Sequence, residues 1–307
     1  MNKLLSITTL FMLIFFSIGL SACDDDSNNS IRKPSDHVDY VVMGKSINHR
    51  QSVSAKLNLL NTVFFAEIFP VKIDSISTTV TNGLLTGLGD ARDGLNFSSA
   101  RIPFLAGQRE MTIEALTRRF PDNTYIFSFD TPDGSIESLP ATFVKKEGEI
   151  SNPEPILITL YQQGNEVDIN AINSDQDLKV TWSDFIEGAV DPNNIIDDMI
   201  YVILGNCHGE EIEHSGHAIS NKDALTFDKQ EFVISSDKLE SGEIYQLEVE
   251  HSNMETDSYR NIEIIVTYAA TTFLDFKTKG DSSELLECPV NPYAMDGGQT
   301  DRIKKPN

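Results

Sequence analysis

The sequence predicts an all-β protein with two tandem β-sandwich domains after an N-terminal signal segment. Short runs of alternating apolar and polar residues recur between residues 38 and 278, and clusters of Gly, Pro, Asn and Asp separate them. Such runs are typical of half-buried strands. Helical patterns are few and short, and 111–120 is the clearest. A segment that begins at Gln108 is repeated in modified form from Gln230, which indicates two related domains.

The first residues predict a secretory signal peptide over residues 1–22. Lys3 precedes an uncharged apolar run from Leu4 to Leu20. A basic residue followed by an apolar run is the pattern of a signal peptide. The run from Leu4 to Ala22 is 19 residues long. A transmembrane anchor of this length would just span a bilayer, so it is the alternative interpretation.

The end of this run favours the signal peptide and indicates lipidation. Leu20, Ser21, Ala22 and Cys23 form the sequence LSAC, which resembles the lipobox of bacterial lipoproteins. Small residues before Cys23 let a peptidase approach the backbone, and a thiol is the nucleophile that can be alkylated. The resemblance implies cleavage before Cys23, a diacylglycerol thioether on its sulfur and an acyl chain such as palmitate on the new amine. The alternative is an ordinary secretory signal with an incidental cysteine.

Lipidation of Cys23 would place the protein in the bacterial cell envelope. Several acyl chains give a stable membrane anchor, whereas one chain is marginal. Residues 23–37 then form an acylated cysteine and a polar, flexible, acidic tether. Asp24 fits retention on the periplasmic side of the inner membrane under one bacterial sorting rule. Under another rule, it fits export to the outer membrane or the cell surface.

Charge excludes some partners. The formal net charge is −23, and loss of Lys3 with the signal peptide makes it −24. A surface this acidic does not bind nucleic acid by neutralising phosphates. It is also repelled by anionic lipid. We therefore expect the lipid on Cys23, and not the protein surface, to hold the chain at the membrane.

Two cysteines remain once Cys23 is modified. Cys207 and Cys288 are an even pair, and outside the cytoplasm such a pair can oxidise to a disulfide. In the chain-entropy model, closing a loop of this length contributes about 4 kcal/mol. The alternative is two free thiols, because the sequence does not supply the geometry that a disulfide requires.

Composition divides the mature chain into two strand-rich regions. We predict one β-sandwich over residues 38–150 and a second over residues 155–278. The stretch 147–155, with two prolines and three acidic residues, reads as the linker between them. Residues 279–307 are polar and contain three prolines, so they read as a C-terminal tail.

The second region carries the clearest strand pattern. Leu178, Val180 and Trp182 alternate along the chain. Alternate residues of a strand lie on one face of a sheet, so these three side chains are predicted to be buried together. The only tryptophan of the chain is therefore interpreted as a core residue.

A tyrosine at the start of a strand adds a resemblance to a known fold. Leu239 lies six residues before Tyr245, and this spacing resembles the tyrosine corner of immunoglobulin-like sandwiches, in particular the fibronectin type III version. Ser241 and Glu243 stand where that version has Pro and Thr. The resemblance implies an immunoglobulin-like sandwich and a buried Tyr245 whose hydroxyl bonds the backbone. Through the repeat, Tyr125 is its counterpart in the first region.

Histidines near residue 210 suggest a transition-metal site. His208, His214 and His217 lie close together in NCHGEEIEHSGH, residues 206–217, among acidic residues. Imidazole and carboxylate together suit zinc or copper. The alternative is the solvated tip of a hairpin, because HExxH and CxxC spacings are absent from the sequence.

The acidic stretch 184–199 suggests calcium. Its hard oxygen donors would come from Asp184, Glu187, Asp191, Asp197 and Asp198. The regular spacing of an EF-hand loop is missing, and an ordinary turn rich in Asn and Asp is the alternative.

No catalytic motif is present, so the sequence predicts a protein that is not an enzyme. GxSxG, a P-loop and a dinucleotide-binding fingerprint are all absent from the sequence. The expected function is a membrane-anchored, non-catalytic binding or structural module for a protein or a glycan. The alternatives are a calcium- or transition-metal-binding envelope protein and an accessory domain of a polysaccharide-acting system.

Overall fold

The computed structural model describes residues 33–71, 80–87, 94–99, 102–106, 109–143, 151–206, 211–216 and 224–280. The predicted signal peptide and nearly all of the tether precede these residues. The predicted C-terminal tail after residue 280 lies outside them as well. The described residues belong to one compact unit that begins at Lys33.

The described chain is mostly β-strand, which confirms the all-β prediction. One α-helix occurs among these residues, α1 (Ile113–Arg119), inside the stretch predicted to be helical, and two 3-10 helices span Pro34–His37 and Ser236–Lys238. The strands are β1 (Val38–Gln51), β2 (Leu57–Pro70), β3 (Thr81–Thr86), β4 (Leu95–Asn96), β5 (Phe104–Ala106), β6 (Thr124–Thr131), β7 (Gly134–Thr142), β8 (Ile158–Gln162), β9 (Asn165–Glu166), β10 (Leu178–Trp182), β11 (Met199–Asn206), β12 (Glu211–His214), β13 (Leu225–Thr226), β14 (Glu231–Ile234), β15 (Ile244–Tyr259) and β16 (Ile262–Lys277).

A central sheet joins the two ends of the described chain. Its order is β12-β11-β15-β16-β1-β2-β5, and β13 also pairs with β11. β15 and β16 form a hairpin with sixteen residues in each strand. β1 lies parallel to β16, whereas the other pairs of this sheet are antiparallel.

Two four-stranded sheets cover opposite ends of one face of the central sheet. One has the order β4-β3-β6-β7 and the other β14-β10-β8-β9. Val266 and Tyr268 of β16 lie in the core under the first sheet. Leu274 and Phe276, further along the same strand, lie in the core under the second. The even spacing of these four residues places them on the same face.

Two separate immunoglobulin-like sandwiches are not confirmed. The predicted ranges 38–150 and 155–278 share the central sheet, because β1 and β2 of the first range continue the hairpin of β15 and β16 from the second. A strand of sixteen residues is about 50 Å long, enough to pass beneath both small sheets. Alternation along such a strand has the same appearance in sequence as alternation along a short one, so the pattern did not distinguish the two arrangements.

Residues 151–158, here called the strap, cross the central sheet between the two small sheets. Side chains of the sheet bond its backbone at several positions. Asn253 donates to the Ser151 carbonyl at 2.9 Å, and Thr272 donates to the Ile156 carbonyl at 2.8 Å. The Gln51 amide pairs with both the N–H and the carbonyl of Ile158, at 2.8 and 2.7 Å. The strap overlaps the predicted linker, and these bonds fix its path.

Replacing Gln51 with Leu is expected to lower the free energy of unfolding by about 2 kcal/mol. The change leaves a buried N–H and a buried carbonyl of Ile158 without partners, and such groups are costly. Urea unfolding followed by tryptophan fluorescence measures the effect. Asn58→Leu, on the exposed part of β2, is the control and should change the midpoint little. Equal midpoints for the two variants would contradict this role of Gln51.

Candidate functional site

The loop between β10 and β11, residues 184–198, is called the acidic loop, and its own carboxylates fix its shape. Asp191 is buried and accepts the backbone N–H groups of Asn193, Ile195 and Ile196 at 2.8, 2.9 and 3.1 Å. It also accepts the hydroxyl of Thr256 at 2.5 Å, which ties the loop to β15. Burial alone would raise the pKa of Asp191, but these hydrogen bonds hold it below its usual value.

Asp198 anchors the other end of the acidic loop. One carboxylate oxygen accepts the N–H of Met254 at 2.7 Å, and the other accepts the N–H of Ala189 at 2.8 Å. Burial raises the pKa of Asp198 to about 6, and the nearby charges of Asp191 and Asp197 act in the same direction. Asp197 accepts the N–H of Asp191 at 2.9 Å. The carboxylates therefore organise the loop from within.

This arrangement bears on the proposed calcium ligands. Asp191, Asp197 and Asp198 all accept backbone N–H groups, so at least one oxygen of each already has a hydrogen-bond partner. Across the described ranges, no group of three or more His, Cys, Asp or Glu side chains is placed to hold a metal ion. The geometry favours a structural role for these carboxylates.

Of the predicted histidine ligands, only His214 lies in the described chain. It ends β12, and its Nδ1 accepts the N–H of Gly216 at 2.9 Å. Its Nε2 is 3.7 Å from the Glu211 carboxylate. The other candidates lie outside the described residues: His208, His217, the predicted disulfide pair Cys207 and Cys288, the predicted lipid attachment site Cys23, and the lipobox residues Leu20, Ser21 and Ala22.

The predicted core residues take specific positions. Trp182, Leu239, Tyr125 and Tyr245 are all buried. The Tyr245 hydroxyl accepts the N–H of Glu240 at 2.6 Å, so it bonds the backbone as predicted. In the first half of the chain, the Tyr125 hydroxyl donates to a backbone carbonyl four residues earlier, that of Pro121, at 2.8 Å. Both halves of the repeat therefore have a tyrosine that bonds backwards to the preceding turn.

The acidic loop also presents apolar side chains to solvent. Ile186 is 84% exposed and Val190 is 66% exposed. Phe185, directly before Ile186, is instead buried, and its ring meets the His251 ring edge-on with ring centres 4.9 Å apart. Exposed aliphatic residues on a loop of fixed shape are a common feature of binding surfaces, because little conformational entropy is lost on binding. The sequence analysis considered only the acidic residues of this loop and missed Ile186 and Val190, although DFIEGAV at residues 184–190 contains both.

The sequence analysis also missed a chain of polar side chains on the central sheet. It lies on the face that points away from the two small sheets. The Glu250 carboxylate accepts the hydroxyls of Ser252 and Thr271, and Thr271 in turn bonds Ser46. Burial raises the pKa of Glu250 to about 7, and the nearby charge of Glu248 adds to this. These residues come from β1, β15 and β16, so only strand register brings them together.

A shallow concavity of about 260 Å³ lies on the small sheet that contains β6. Asp130 sits in its lining and accepts hydrogen bonds from Asn82 at 2.7 Å and Ser135 at 2.5 Å. These bonds lower the pKa of Asp130. The concavity is open and has no exposed aromatic side chain among its lining residues, so the acidic loop is the stronger candidate surface.

Replacing Asp191 with Ala is expected to loosen the acidic loop. The variant leaves three N–H groups and the Thr256 hydroxyl without their acceptor, so the free energy of unfolding should fall by about 2 kcal/mol or more. Hydrogen exchange should rise most in residues 193–196. Asp175→Ala, at an exposed turn, is the control. Unchanged exchange in the loop of the Asp191 variant would contradict the role assigned to this carboxylate.

His251 predicts a pH dependence of stability. It is fully buried, its Nε2 bonds the Glu154 carbonyl at 2.7 Å, and burial lowers its pKa to about 4. In the unfolded chain the pKa is about 6.5. The unfolded state therefore takes up the proton first, and the stability due to neutral His251 is lost as the pH falls from 6.5 towards 4.

The measurement compares wild type with His251→Gln in urea unfolding at several pH values. The difference in unfolding free energy between them should be constant above pH 7. By pH 4, wild type should have lost about 3 kcal/mol of unfolding free energy relative to the variant. Asp198 and Glu250, whose pKa values are raised, act in the opposite direction but cancel in this difference. Parallel profiles for the two proteins would contradict the prediction.

Comparisons with known proteins do not identify a family. No family model and no curated protein matches the chain. The solved yeast delta-COP-I mu-homology domain in complex with a Dsl1 WxWxV peptide is 12% identical, with 78% of this chain and 97% of that chain covered and a TM-score of 0.19. The same yeast domain alone gives the same values. Neither likeness is strong enough to carry an argument. None of the helices in the described ranges has the length and hydropathy of a membrane-spanning segment.

Proposed function

We propose that this chain is a lipid-anchored, non-catalytic binding protein of the bacterial cell envelope, and that the acidic loop contacts its partner. The observation that carries the binding role is the exposure of Ile186 and Val190 on a loop whose shape is fixed by buried carboxylates. The sequence LSAC at residues 20–23, directly after an uncharged apolar run, supports the anchor.

The proposal assigns anchoring, spacing and binding to three different parts of the chain. Acyl chains on Cys23 hold the protein at the membrane, and residues 24–32 separate the folded unit, which begins at Lys33, from the lipid surface. The net charge of −23 supports this, because an acidic surface does not itself adhere to anionic lipid. The folded part then presents its loops to a protein or glycan in the envelope.

The proposal also includes a relation of both halves to immunoglobulin-like or fibronectin type III-like sandwiches. The backbone bonds of Tyr125 and Tyr245 support this relation, since each tyrosine begins a strand and bonds the preceding turn. In this interpretation the long strands β15 and β16 connect two related halves that became one unit.

The anchor is tested by Cys23→Ala in a bacterial host that processes lipoproteins. Loss of the thiol removes the attachment point, so the protein should lose labelling by an alkyne analogue of palmitate and should either leave the membrane fraction or keep its signal peptide uncleaved. Ser21→Ala is the matched control, because it keeps a small residue in the lipobox and should be processed normally. Equal membrane association and equal labelling of Cys23→Ala and wild type would contradict the anchor.

A further inference from the structure

The strap and the acidic loop are adjacent. The N–H of Ser183 donates to the Leu157 carbonyl, and the Leu157 N–H donates to the Ser183 hydroxyl, both at 3.0 Å. Two residues further on, Phe185 packs on His251, which in turn bonds the Glu154 carbonyl of the strap. We call the exposed residues of these two segments the strap–loop surface.

The strap–loop surface interleaves aliphatic and acidic side chains. Leu157 is 39% exposed, and it adds to the two exposed aliphatic residues of the acidic loop. Glu154, Asp184 and Glu187 are exposed beside them. A partner for this surface must therefore offer both apolar contact and positive charge.

The strap and the acidic loop contain acidic residues and no Lys or Arg. From residue 147 to residue 221 the sequence contains fifteen Asp and Glu residues, and Lys179 is the only Lys or Arg. Lys179 is itself paired with Glu231 at 3.3 Å. An excess of negative charge of this kind attracts a basic partner and increases the rate of association.

We propose that the strap–loop surface binds a basic polypeptide segment in which Lys or Arg residues alternate with aliphatic residues. This rests on the proposed function and names the class of its partner. The aliphatic residues of the segment contact Leu157, Ile186 and Val190, and its cations pair with Glu154 and Glu187. A second copy of this chain is disfavoured as the partner by the repulsion of two charges of −23.

The strap–loop surface is organised before binding. The acidic loop is fixed by the carboxylates of Asp191 and Asp198, and the strap by side chains of the central sheet such as Gln51 and Thr272. A surface that is already ordered loses little entropy when a partner docks. The exposed aliphatic side chains are therefore suited to act as anchor points.

The test measures binding of fluorescent peptides to the full chain in neutral detergent. One peptide alternates Lys with Leu, a second alternates Lys with Ser, and a third alternates Glu with Leu. Only the first offers both chemistries, so it should bind about tenfold more tightly than either of the others. Its binding should weaken as NaCl rises from 50 to 300 mM, because exposed charges are screened.

Variants locate the surface. The double variant Ile186→Ser with Val190→Ser should bind the Lys–Leu peptide about tenfold more weakly. Its control is Val53→Ser with Leu59→Ser, which removes exposed aliphatic residues from the β1–β2 hairpin. Glu154→Gln with Glu187→Gln should lower both the affinity and the salt dependence. Its control is Glu137→Gln with Glu166→Gln, at exposed positions elsewhere.

The outcomes separate this inference from the proposed function. Wild-type affinity in the Ile186 and Val190 double variant would overturn the inference, as would equal loss in the hairpin control. Equal binding of the Lys–Ser peptide would also overturn it, since charge alone would then explain the binding. Each of these results leaves the membrane test of Cys23 unaffected. Likewise, failure of that test leaves the peptide result standing.

Discussion

The parallel pairing of β1 with β16 is the interaction on which the rest of the structure depends. Eleven consecutive residue pairs, from Tyr40 with Glu263 to Arg50 with Phe273, join the first described strand to the last. Parallel neighbours cannot be connected by a tight turn. The whole intervening chain is therefore the connection, and it supplies both small sheets, which return to pack on the sheet that this pairing completes.

The length of β15 and β16 sets the geometry of the candidate surface. Because each strand passes beneath both small sheets, two apolar cores share one face of the central sheet. The interval between these cores carries polar side chains, including His251, Asn253 and Thr272. These groups need partners when buried, and the backbone of the strap supplies acceptors for them. The strap is thereby placed next to the acidic loop.

Acidic residues have two roles in this protein, and whether the side chain is buried or exposed decides which role it has. Asp191 and Asp198 are buried, accept backbone N–H groups and give the acidic loop its shape. Glu154 and Glu187 are exposed and contribute charge to the surface. The amino-acid type is nearly the same in both cases, so composition alone did not distinguish a structural carboxylate from one that faces solvent. The calcium hypothesis arose because the sequence places both kinds side by side.

The sequence by itself determined the all-β class, the short helix near residue 113, the burial of Trp182 and Tyr125, and the backbone bond of the Tyr245 hydroxyl. These features depend on local alternation and on spacing within about six residues. The tertiary structure decided the union of the two halves, the path of the strap and the adjacency of Leu157 to Ser183. Each of these depends on strand register between residues far apart in the chain. A pattern with a period of two shows which residues share a face, but not which strand lies beside them.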